Sequence, residues 1–122
     1  MSYVRRVIVP VTTAADGSAT EYSNVIDYGL LSQCRYIKDA TTPFTDGVDV
    51  TVTLEGTGET LWDEDNVNAS ATRAPRQPTH DTAGVALGAT IVDKIAIVND
   101  RIKIVIAAGG DAKTGTFHFL LG

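Results

Sequence analysis

The side chains in this sequence that could do chemistry are few: His80, His118, the single Cys34, a run of carboxylates from Asp63 to Asp65, and glycines at 56, 58, 109 and 110. His80-Asp81 sets an imidazole beside a carboxylate, and Ser70 or Cys34 is the nucleophile such a pair could activate. Acyl-transfer chemistry of that kind needs the carboxylate to orient the ring and the ring to reach the nucleophile. Adjacency in sequence supplies neither, and no nucleophile elbow surrounds either candidate. His80 therefore reads as a surface-loop histidine. His118 alternates with Phe117 and Phe119 on the face opposite them, which makes it a strand residue at a surface or subunit contact. Two histidines and one cysteine do not make a zinc site.

Asp63-Glu-Asp-Asn-Val-Asn68 brings oxygen ligands together as a hard cation would require, but the glycine and the distal glutamate of a calcium loop are missing, so it reads as a solvated acidic turn. Gly56-Thr-Gly58 and Gly109-Gly110 do not lead from a strand into a helix, and no Gly-Lys-Ser/Thr follows them, so they read as turns rather than phosphate cradles. Asn68-Ala-Ser70 is a formal glycosylation sequon without a secretion signal to give it meaning. The expectation is a protein that is not an enzyme, with no catalytic, cofactor-binding or metal-binding residue and no cofactor.

The elements that would position these residues are strands. Val48, Val50, Val52 and Leu54 point one way and Asp49, Thr51 and Thr53 the other, the cleanest alternation in the chain. In the last third, Ile95 and Ile97, then Ile102, Ile104 and Ile106, then Phe117, Phe119 and Leu121 each share a face. Asn99-Asp100 and the glycine-bearing stretch Ala108–Gly115 separate these runs, and the pattern predicts a β-meander. Val4 to Val11, with Pro10 late in the run, suits an edge strand, because proline removes a ladder donor. Gly29–Lys38 is partly apolar on both faces, as in a central strand or a strand with one face at an interface, and Glu59–Trp62 reads as a short strand. No window carries a sustained helical period with caps. The fold class expected is all-β: an antiparallel β-sandwich or barrel-like single domain over residues 1–122, with long loops or an arm.

Length and composition narrow the class. A domain of 122 residues buries roughly two-thirds of its unfolded surface and folds without staples. Cys34 has no intramolecular partner and reads as a reduced, half-buried thiol, which with the absence of a signal-like amino terminus fits synthesis in the cytoplasm. No apolar run approaches a bilayer span, so no membrane partner is expected. The net charge of −5, with 15 acidic against 10 basic residues, argues against a nucleic-acid partner. The basic residues are scattered, apart from Arg5-Arg6 and Arg73 with Arg76.

Val67 to Gly88 has little periodicity and is rich in Ala, Thr, Pro and polar residues. Loops this long are uncommon unless they act or bind. Pro75 and Pro78 bias the segment toward extended backbone, and Arg73 and Arg76 offer guanidinium forks to carboxylates. The reading is an extended arm that lies along a neighbouring molecule, with Arg73, Pro75, Arg76, Pro78 and His80 as the contact residues.

Leu61–Asp81, Val98–Gly110 and Thr114–Gly122, and to a lesser extent Gly47–Thr53, resemble small head-module proteins of tailed bacteriophages and prophages. As a whole the chain resembles a capsid decoration, or cement, protein. The resemblance implies a structural virion protein of the phage head, made in the bacterial cytoplasm. It would bind adjacent subunits of the major capsid protein and itself, as a homotrimer or alternatively a dimer. It brings an arm and a hairpin but no active site. The competing expectation is a carbohydrate-binding or receptor-binding domain of a spike or fibre, with Trp62, Tyr22, Tyr28 and Tyr36 exposed to stack on sugar rings, or a head-tail connector component. An aromatic content of 7% without a clustered stripe disfavours the sugar reading.

Overall fold

Alternating β-branched and polar residues build strands along the whole chain. The computed structural model describes residues 5–122 and has eleven strands and no helix in that range; Met1–Val4, including the Val4 expected to open the first strand, lie outside the described residues. The strands are β1 (Arg5–Thr12), β2 (Ala19–Tyr22), β3 (Ile26–Lys38), β4 (Asp49–Leu54), β5 (Thr60–Glu64), β6 (Ala71–Arg73), β7 (Gln77–Pro78), β8 (Val92–Asp93), β9 (Ile95–Asp100), β10 (Ile102–Ala107) and β11 (Thr114–Leu121). The first sheet runs β1-β11-β3-β6, with β9 also paired to β3; the second runs β2-β10-β4-β5. All strand pairs are antiparallel, as the expected fold class requires.

One core lies between the sheets. Val50, Val52, Leu54, Ile102, Ile104 and Ile106 enter it from the second sheet; Val9, Val11, Leu31, Cys34, Tyr36, Ile95, Ile97, Phe117, Phe119 and Leu121 enter from the first. Burial of these side chains is the main stabilising term, each contributing about 1.5–3 kcal/mol relative to exposure. β1 is an edge strand, and β3 is the central one, with Cys34 fully buried rather than half-buried. Tyr36 stacks between Phe44 and Phe117, with ring centroids at 5.8 and 5.2 Å. Gly115 makes room for this stack, since a Cβ there would lie 2.6 Å from Phe44 Cε2 and 2.8 Å from Tyr36 Cε1.

The expected meander does not form. β9 pairs with β3, β10 with β2 and β4, and β11 with β1 and β3, so none of the three pairs with another. Asn99 is not a hairpin reversal but a left-handed residue (φ 47°) near the end of β9. Beyond it the Asp100 carboxylate accepts the N–H of Gly56 and of Arg101, each at 2.8 Å, and the chain passes into the second sheet. A strand pair that changes sheets through one residue makes a corner of the sandwich.

Candidate interaction surface

The weakly patterned segment splits into an anchored half and a projecting half. Val67 is buried and donates its N–H to the Val48 carbonyl at 2.9 Å, and β6 pairs with β3. Arg73 forks onto Glu64, with Nε to Oε1 at 2.7 Å and Nη2 to Oε2 at 2.9 Å, while Trp62 Nε1 donates to the same Oε1 at 3.0 Å. Because β6 belongs to the first sheet and β5 to the second, this fork ties the sheets along one margin. The hydrogen bonds from Arg73 and Trp62 pull the Glu64 carboxyl down to about 2. Arg76 Nη1 donates to the carbonyls of Ser32 at 3.1 Å and Pro75 at 2.9 Å. The guanidinium groups expected to reach a neighbour's carboxylates are thus engaged within their own domain, because Glu64 stands opposite Arg73 and Ser32 opposite Arg76.

The projecting half extends beyond the expected limit of Gly88, from Gln77 to Asp93. β7 pairs with β8, and Pro78, opposite Val92, holds the extended backbone its ring favours. Thr79 N–H donates to the Ile91 carbonyl at 3.2 Å, and Leu87 N–H to the Thr79 carbonyl at 3.0 Å. Asp81 builds the tip: its carbonyl accepts from Gly84 N–H at 3.0 Å, and its Oδ1 accepts from Ala83 N–H at 2.9 Å and Val85 N–H at 3.0 Å. That carboxylate serves the turn and makes no hydrogen bond to His80, which is exposed opposite Ala86. The hairpin therefore has an ordered backbone, yet residues 80–93 are exposed throughout. Val85, Leu87, Ile91 and Val92 stand 59%, 48%, 51% and 44% exposed.

The outer faces of the two sheets differ. Across the first sheet run the rows Ile8–His118–Arg35–Thr72, Arg6–Leu120–Gln33 and Pro10–Thr116–Ile37, with Tyr28–Val98 and Leu30–Ala96 farther along β3. These rows contain two arginines and no carboxylate. His118 is the outward strand residue expected; partial burial, Arg6 and Arg35 all lower its pKa, and Arg6 Nη1 lies 3.4 Å from its Nδ1. On the second sheet Asp49 and Asp63 alternate with the buried residues of β4 and β5, Glu55 pairs with Arg101, and the Arg101 guanidinium sits 4.0 Å over the Tyr22 ring.

The remaining candidates fall apart as sites. Trp62 and Tyr36 are buried in the core, which corrects the expectation of an exposed sugar platform and leaves Tyr22 and Tyr28 outside it. Burial pushes the Cys34 thiol up to about 12. In the acidic stretch, Asp63 and Glu64 belong to β5, and Asn68 Oδ1 accepts the Gly47 N–H at 2.7 Å. Among the described residues no group of three or more His, Cys, Asp or Glu is placed to hold a metal ion.

No family model matches the chain, and no curated protein is similar to it in sequence. The crystal structure of FLHE is similar in fold, with 7% identity, 98% of each chain covered and a TM-score of 0.50. CBM32-3 from a family 31 glycoside hydrolase of Clostridium perfringens shares 12% identity over 94% of this chain and 74% of its own, with a TM-score of 0.44. At such identities the likeness concerns the fold alone.

Proposed function

We propose that this chain is a structural protein of a tailed-bacteriophage head, which decorates and stabilises the capsid by binding adjacent subunits of the major capsid protein. The supporting observation is the 77–93 hairpin, whose backbone is hydrogen-bonded while its Val85, Leu87, Ile91 and Val92 side chains remain exposed. An element whose backbone is already hydrogen-bonded has less conformational entropy to lose on docking than an unstructured arm, even where it opens locally, so modest apolar contacts help to hold it on a repeated lattice. The role asks for contact surface rather than reacting groups. Quantifying the protein in purified phage or prophage particles tests the reading. The expected copy number is comparable to that of the major capsid subunit. Absence from the particle, or a few copies confined to one vertex, would overturn it.

A further inference from the structure

The outer face of the first sheet and the 77–93 hairpin are complementary, and both belong to this chain. We propose that the hairpin of one copy docks on the outer face of the first sheet of a second copy. The inference holds whether or not the protein binds a capsid.

Charge selects the face. The hairpin carries Asp81 and Asp93, with His80 but no lysine or arginine between Arg76 and Lys94. Those two flanking cations turn back onto their own domain, Arg76 to the Ser32 carbonyl and Lys94 Nζ to the Gly122 carbonyl at 3.1 Å. The first sheet presents Arg6 and Arg35 around His118 in rows without a carboxylate. The second sheet sets Asp49 and Asp63 on the same outward face as Lys103, so docking there would bring like charges against the hairpin that the first sheet does not.

Apolar surface supplies the adhesion. Ile8 is 55% exposed, Tyr28 64%, Ile37 45% and Val98 61%, against the four exposed aliphatic residues of the hairpin. Within one molecule neither set covers the other. The hairpin root is fixed where Gln77 Nε2 donates to the Lys94 carbonyl at 3.2 Å and Arg76 reaches Ser32, and all of these apolar side chains remain in solvent. A second copy provides both missing halves at once, so two copies can exchange hairpins across a two-fold axis or pass them on around a ring.

Sedimentation velocity of the full chain over a concentration series tests the pairing. The wild type is expected to associate reversibly. Val85→Ser with Leu87→Ser disables the hairpin, and Arg6→Glu with Arg35→Glu disables the face. Each double variant should self-associate about tenfold more weakly or worse, as losses at a contact centre do, with unchanged circular dichroism and melting. Mixing the two variants should restore a one-to-one complex, because one contributes an intact face and the other an intact hairpin. Should the glutamates disturb folding, Arg6→Gln with Arg35→Gln replaces them. A wild type that stays monomeric, variants that associate as the wild type does, or a mixture that forms no complex would each overturn the proposal.

Discussion

Ile104 and Leu87 are both aliphatic residues on hydrogen-bonded extended backbone, yet one is fully buried and the other 48% exposed. Ile104 lies in β10, flanked by β2 and β4 and covered by the opposite sheet. Leu87 donates its N–H to the Thr79 carbonyl across a hairpin that has no layer above it. Hydrogen bonds thus give the two regions their shape, and burial gives only one of them stability. A two-stranded hairpin without a covering layer is marginal by itself, so the hairpin should open locally while the sandwich unfolds as a unit.

The sharpest break of that comparison uses the same substitution in both places. Ile104→Asp should cost several kcal/mol by leaving a carboxylate without a partner among apolar side chains, while Leu87→Asp should stay within about 0.5 kcal/mol in urea unfolding of the isolated chain. Equal losses would mean that the hairpin is part of the cooperative core. A smaller effect tests how tightly the sandwich is packed. Gly115→Ala should destabilise by about 1–3 kcal/mol, because the added methyl group meets Phe44 and Tyr36 within the aromatic stack. An unchanged melting temperature would show that the rings yield.

The smallest effect is the acid response of the tie between sheets. Glu64 is held at about 2 in the folded chain, against 4.5 ordinarily. Its folded value is depressed, so the stabilisation is complete above 4.5 and is lost as pH falls from there towards 2. The stability gap between wild type and Arg73→Ala, read from urea midpoints, should therefore be present at neutral pH and close across that window. A gap that persists at the acid end would assign the role of Arg73 to packing instead of charge.

Alternation alone identified the core, since Val48 to Leu54, the isoleucines of β9 and β10, and Phe117, Phe119 and Leu121 are all buried as their period requires. Period two tells which side chains share a face but not which strand lies alongside, and this is why the meander was illegible as a sandwich with a corner at Arg101. Arg73 could not be matched to Glu64, because the contact joins strands of different sheets. The hairpin limits were equally hidden, as β7 and β8 have two residues each. Pro78 and His80 do lie in that hairpin. Its apolar contribution was missed, although Val85 and Leu87 alternate just beyond the Asp81–Gly84 turn, a short signal that could have drawn notice.

The corner between β9 and β10 also governs the order of events when the chain folds. Neighbouring strands go to different sheets, so local zippering of successive hairpins cannot assemble the last third. Ile102 N–H reaches Ser23 Oγ across 79 residues of sequence, and Lys113 N–H reaches Thr13 Oγ1 across 100. Chains dominated by such distant pairings fold in about milliseconds to seconds. β11 sits between β1 and β3, so a ribosome-bound chain that has not yet released β11 leaves those two strands unjoined, with the apolar face of the first sheet open to chaperones until synthesis has passed that point.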